Sequence, residues 1–228
     1  MAFPLWITNY KAYEQARGAH AVGLSVLHAA LAEELQLPVT VAVSALDLHR
    51  VATAVPGMPL CVQHLDPTPA PLSSSVGCIA APLAREAGAT YALLNHAAHR
   101  IEDRHTLAET IKEAQESEII TIVCAATVAE VAALQALGTD AIAYEPPELI
   151  GSNQTSVSRA QPEVVRAAVI AAAGVPLLIG AGVATAEDVR IGMQLGCSGF
   201  LVASAIVKAP DPAAALRTLL TAMKNATD

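Results

Sequence analysis

The chain is poor in aromatic residues, at 3%, and in charged residues, at 15%. Few aromatics leave little platform on which bases could stack. The abundant Ala, Val, Leu and Ile point instead to closely packed helices on a buried sheet. Positive charge is the scarcer sign: 13 Lys and Arg stand against 21 Asp and Glu, a formal net charge of −8. That balance opposes nonspecific binding to nucleic acid. A local phosphate site stays open, because backbone N–H groups can build one without net positive charge. Four cysteines, Cys61, Cys78, Cys124 and Cys197, are widely spaced and form no CxxC pair, which argues against a zinc site. Cys61 and Cys124 lie in apolar, strand-like runs and read as inert core thiols. No apolar run reaches the roughly 18 residues that a membrane span needs. Nor does the N-terminus place a charged region before an apolar stretch, as a secretory signal would. The expectation is a cytoplasmic protein with neither a membrane nor a nucleic acid as partner.

What the chain does have is hydrophobic residues, 54% of its 228 positions, enough for a sizeable core. They are arranged in alternation. Short apolar runs rich in Val and Ile read as strands at Leu5–Thr8, Thr40–Val43, Pro59–Val62, Ala89–Leu94, Ile119–Val123, Ala141–Tyr144, Pro176–Ile179 and Gly199–Val202. Between them, helical stretches are expected near 14–35, 45–54, 79–87, 105–117, 127–137, 162–173, 185–195 and 211–225. Thr127, Thr185 and Pro162-Glu163 mark helix starts. About eight β/α units without consecutive strands imply a parallel sheet covered by helices, and in one chain of this length a closed (β/α)8 barrel. A doubly wound open sheet is the alternative. It usually has fewer strands and a glycine-rich first turn, whereas the first strand here runs into Asn9-Tyr10-Lys11. No linker divides residues 1–228, so a single domain is expected. The Pro/Ser-rich stretch Asp66–Ser75 reads as a long loop within it.

In such a barrel the active site forms where the strands end. The polar residues that close each apolar run are Asn9 and Lys11, Gln63 and His64, Asn95 and His96, Glu145, then Gly180-Ala181-Gly182 and Ala203-Ser204. Each has an ordinary reading: a solvated lysine, a strand-end carboxylate, a structural histidine, simple turn glycines. Their convergence on one rim favours a shared task. A carboxylate can abstract a proton beside a carbonyl while an imidazole and an ammonium stabilise the developing oxyanion. Small residues after the last two strands let backbone N–H groups approach a phosphate.

The words themselves are then familiar. "TNYKAY" (8–13), "VQHLDP" (62–67), "LLNH" (93–96), "YEPPELIG" (144–151), "VSRAQPEVV" (157–165), "LIGAGVATAEDV" (178–189) and "LVASAIVKAPDP" (201–212) occur in order across nearly the whole chain. In them the chain resembles the triosephosphate isomerase family in its short, archaeal form. The resemblance implies an aldose–ketose isomerase of glycolysis and gluconeogenesis, acting on a small phosphorylated sugar. It implies no cofactor and no metal, and a homodimer or homotetramer. Glu145 is similar to the family's general base, His96 to its electrophile, Lys11 to its charge-attracting lysine and Asn9 to its strand-end asparagine. Gly151, Gly180, Ala181, Gly182, Ala203 and Ser204 match its phosphate grip. Pro146–Ser152 looks like the start of a mobile lid.

The departures are local. Where the family continues its histidine with Ser-Glu-Arg-Arg, this chain has Ala97-Ala98-His99-Arg100. Where its third loop has Thr-Gly, this chain has Val76-Gly77, and "GSN" stands where Gly-Thr-Gly is common. Three functions are compatible with this pattern: the family's own isomerisation, a related reaction on another phosphorylated ketose or aldose, and a binding role on an impaired barrel.

Overall fold

The computed structural model describes residues 2–68, 71–146 and 156–227. Eight parallel strands close into a barrel in sequence order: β1 (Leu5–Asn9), β2 (Val39–Val43), β3 (Leu60–Val62), β4 (Ala89–Leu94), β5 (Ile120–Ala125), β6 (Ala141–Tyr144), β7 (Leu177–Ile179) and β8 (Gly199–Val202). Helices surround them: α1 (Ala19–Leu35), α2 (Ala45–Ala54), α3 (Ala81–Glu86), α4 (Arg104–Glu116), α5 (Val128–Gln135), α6 (Val157–Ala160), α7 (Pro162–Ala171), α8 (Ala186–Gln194), α9 (Ser204–Val207) and α10 (Pro212–Asn225). The open-sheet alternative is excluded by the pairing of β8 with β1, Leu5 opposite Gly199 through Thr8 opposite Val202.

The strands read as continuous apolar runs because both faces are buried. Alternate residues point inward and outward. Leu5, Ile7, Leu93, Ile122, Leu178 and Leu201 fill the barrel interior. Trp6, Val41, Val43, Val123, Ile142 and Phe200 face the helices. Closure between β8 and β1 requires glycine at 199, where φ is +150° and an added Cβ would lie 2.1 Å from Leu5 O. Trp6, Thr8 and His28 pair their polar groups inside this core. Trp6 Nε1–H donates to Thr8 Oγ1 (3.0 Å), and the Thr8 hydroxyl meets His28 Nε2 at 2.8 Å. The other His28 nitrogen donates to Leu24 O at 2.7 Å.

Helix starts follow the caps. Thr127 accepts from Glu130 N–H, and Thr185 with Asp188 makes a full capping box. One expected helix, 14–35, is two elements. A 3-10 turn at Glu14–Ala16 ends before Gly18, which takes φ +60° and donates its N–H to Asp47 Oδ2 (2.9 Å), and α1 starts beyond it. The short helices α6 and α9 are not visible in the periodicity of the sequence, since one turn carries too little of it. The described residues of the stretch Asp66–Ser75, 66–68 and 71–75, carry no helix or strand beyond a 3-10 turn at Leu72–Ser74.

Candidate active site

The site is assembled at the carboxyl-terminal rim from strand ends far apart in sequence. At the end of β1, Asn9 is buried and its Oδ1 accepts the Lys11 N–H at 2.9 Å. This local bond holds Lys11 at φ +46°, a left-handed conformation that a lysine rarely takes. A second strut comes from β3. Gln63 Nε2 donates to Lys11 O and Ala42 O, each at 3.0 Å, with a longer 3.3 Å contact to Asn9 Oδ1. In the sequence Gln63 is a strand-end residue, and nothing there signals a bond that spans 52 positions.

At the end of β4, Asn95 also takes a positive φ, +57°. Its side chain donates to Cys124 O and accepts from Ile101 N–H, both at 3.0 Å, and so turns the chain sharply into His96. The Ala98 N–H donates to His96 Nδ1 at 3.0 Å. A backbone amide can only donate, so Nδ1 carries no proton and Nε2 does. Burial, assisted by the Lys11 charge, pushes the His96 pKa down to about 4, so the ring is neutral. Ala98 brings no functional side chain but supplies this amide.

Glu145, which follows β6, is 4% exposed. Burial pushes its pKa from the ordinary 4.5 up to about 7, against the opposing pull of a Cys124 hydrogen bond and the Lys11 charge. Cys124 sits in the core as the sequence suggests, and its thiol lies close enough to the Glu145 carboxyl group to oppose the rise of its pKa. The Glu145 side chain rests on Gly180, where an added Cβ would lie 2.3 Å from its Cγ. His96 Nε2 and Glu145 Oε2 are 3.9 Å apart, too far for a hydrogen bond, and neither buried atom has a partner among the described residues. Such orphaned groups cost stability, and they mark a place where a ligand completes the bonding.

Two cavities meet at Asn9 and Lys11. One runs to Glu145 and to Gly180, Gly182, Ala203 and Ser204 on the loops after β7 and β8. The other runs to His96 and the loops after β2 and β3. Of the residues expected to grip phosphate, Gly182 and Ser204 line the first cavity and their N–H groups donate to no described acceptor. Ala203 lines it as well, at the turn into α9. Gly180 lines it but its N–H is taken by Tyr144 O (3.0 Å), so its place there is to make room for Glu145. Ala181 is fully buried and does not line the cavity. Gly151 and the expected lid beyond Pro146 lie outside the described residues. No group of three or more metal-binding side chains is placed together among the described residues.

A neutral imidazole, a carboxyl group poised near neutrality and a lysine, set beside free backbone amides, can move a proton on a small anionic substrate. The class is that of the (β/α)8 barrel enzymes. Comparison with known proteins narrows it: a family model described as "Triosephosphate isomerase" matches residues 4–222. The chain is 41% identical to a triosephosphate isomerase of Methanosarcina acetivorans, covering 96% of this chain and 99% of that one. It is 39% identical to one of Methanothermobacter thermautotrophicus, covering 95% and 94%. The crystal structure of triosephosphate isomerase from Bartonella henselae shares the fold with a TM-score of 0.74 at 20% identity, covering 97% of this chain and 99% of that one. The chain belongs to the triosephosphate isomerase family.

Proposed function

We propose that the chain interconverts dihydroxyacetone phosphate and glyceraldehyde 3-phosphate, with Glu145, His96, Lys11 and Asn9 as its catalytic groups. The observation that carries the reading is the pair of unpartnered buried atoms, Glu145 Oε2 and His96 Nε2, 3.9 Å apart. Glu145 takes a proton from the carbon beside the substrate carbonyl. The electron pair left behind moves toward the carbonyl oxygen, giving an enediolate. His96 Nε2–H donates a hydrogen bond to that oxygen, and the Lys11 ammonium balances its charge. The hydroxyl on the deprotonated carbon passes its proton to the former carbonyl oxygen through His96 Nε2, which gives one proton and takes up the other. Glu145 then returns its own proton to the former carbonyl carbon, and the other isomer results. A base with a pKa near 7 suits both halves of this exchange, because it gives up and takes back a proton with little bias. The phosphate rests on the Gly182 and Ser204 amides; Gly151 of the lid is proposed to join them.

The alanines at 97 and 98 do not count against this assignment. His96 is oriented by a backbone amide, and Lys11 is held by Asn9 and Gln63. We also propose a homodimer or homotetramer in the cytoplasm; Leu46 and Val76, exposed at 92% and 95% beside the second cavity, support a face covered by another copy. A coupled assay on the three-carbon pair tests the function, with other phosphorylated sugars as competitors. Turnover is expected to fall by about 3 kcal/mol or more in barrier, on the order of a hundredfold or beyond, in Glu145→Gln. Equal rates for wild type and variant would overturn the reading.

A further inference from the structure

The turn after His96 is tied down at its two ends and nearly bare between them. Asn95 holds its start through Cys124 O and Ile101 N–H. Arg100 holds its end through Glu130, at 2.8 Å. Ala97 and Ala98 are exposed and bring no functional group. The one other side chain is His99. Its ring lies flat on His64, with ring centroids 3.7 Å apart and planes 17° apart. The His99 N–H donates to His96 O at 2.8 Å, so the stacked residue is bonded directly to the one that carries the site imidazole.

His64 is a fixed platform for that ring. It is 8% exposed, and its Nε2 meets Asp66 Oδ1 at 3.2 Å. The carboxylate can only accept, so Nε2–H is the donor. Asp66 is itself held twice to Ile79, its Oδ2 accepting the Ile79 N–H at 2.8 Å and its own N–H donating to Ile79 O at 3.0 Å. His64 also follows Gln63, the strut under Lys11. The end of β3 therefore supports the Lys11 loop through one residue and the His96 turn through the next.

We infer that His64 and His99 form a positioning pair for the isomerisation, the flat contact between their rings setting the turn that aims His96 Nε2 into the site. The inference rests on the assignment of His96 as the group that polarises the substrate carbonyl. Neither ring touches the reacting atoms; both act through His96. Misplacement by about 1 Å costs about a hundredfold in rate. With Asn95 and Arg100 still in place, loss of the stack shifts the turn by less, and a fall of about tenfold is expected.

The test compares wild type with His99→Ala, His99→Phe and His96→Gln on dihydroxyacetone phosphate and glyceraldehyde 3-phosphate, with kcat, KM and Tm measured for each. His99 is exposed, so its variants are expected to fold. His99→Ala is expected to lower kcat about tenfold while KM stays within about twofold and Tm is little changed. His99→Phe restores a flat ring and is expected to recover most of the lost kcat. The inference is overturned if His99→Ala keeps its kcat, if only KM moves, or if phenylalanine recovers nothing. Should His96→Gln retain full turnover, the assignment of His96 itself is wrong. Should His96→Gln be inactive while His99→Ala is unchanged, only the positioning pair is refuted.

Discussion

Replacing Glu145 by glutamine is expected to stabilise the folded chain at alkaline pH even as it removes turnover. The carboxyl group is 4% exposed and its pKa rises on folding from 4.5 to about 7. In the acid range both folded and unfolded chains hold the proton, and the group is neutral in each. As pH rises past 4.5 the unfolded chain releases its proton first, while the folded chain still holds its own. Stability is therefore lost as pH rises toward 7, and the loss is complete above it. At about 1.4 kcal/mol for each factor of ten, the full difference is about 3 kcal/mol. Glutamine has no proton to lose. Its amide contributes alike at every pH, so the change with pH in the gap between variant and wild type isolates the carboxyl group. Denaturant unfolding of both proteins, at one protein concentration, measures that gap. Between about pH 5 and about pH 8.5 the gap is expected to grow by about 2.5 kcal/mol in favour of glutamine. A gap that stays constant, or grows toward acid, would refute the claim that Glu145 is buried as a strained base.

Three further outcomes follow from the same geometry. Gly180→Ala puts a methyl 2.3 Å from Glu145 Cγ, so the base must move; kcat/KM is expected to fall about a hundredfold with the fold retained, as steady-state kinetics and circular dichroism would show. Gln63→Leu removes the donor to Lys11 O and frees the Lys11 loop; a loss of about tenfold to a hundredfold in kcat/KM is expected, and an unchanged value would mean that Asn9 alone suffices. The rate should also depend on pH through the base: kcat/KM is expected to fall as pH drops through about 7, because protonated Glu145 cannot accept a proton, whereas a limb near 4 would contradict its raised pKa.

Most of the fold is legible in the sequence. Runs buried on both faces announce strands, and helix caps such as Thr127 and Thr185 follow from local hydrogen bonding. The break before α1 was not legible, because it depends on Gly18 meeting Asp47 across 29 positions. The site divides in the same way. Strand-end residues such as Asn9, His96 and Glu145 stand out where apolar runs stop. Their supports do not: Gln63 under Lys11, the Cys124 thiol on Glu145 and the His64–His99 stack are contacts between distant strand ends. Gly180 and Ala181 show the limit from the other side. Their small side chains suggest a phosphate cradle, but one amide is already used by Tyr144 O and the other residue is sealed in the core. Ala97 and Ala98 look like losses in the sequence, yet the Ala98 amide still orients His96.

The central claim is that Glu145 carries a proton between two adjacent carbons of the substrate through an enediolate. Isomerisation in deuterium oxide tests it most directly. A carboxyl group that exchanges with solvent while it holds the proton leaves deuterium in the product, which proton NMR detects. Wild type is expected to incorporate deuterium at the carbon that receives the proton, and Glu145→Gln to lose both isomerisation and exchange, by about a hundredfold or more. Exchange at the wild-type rate in Glu145→Gln would show that another group moves the proton, and would contradict the account.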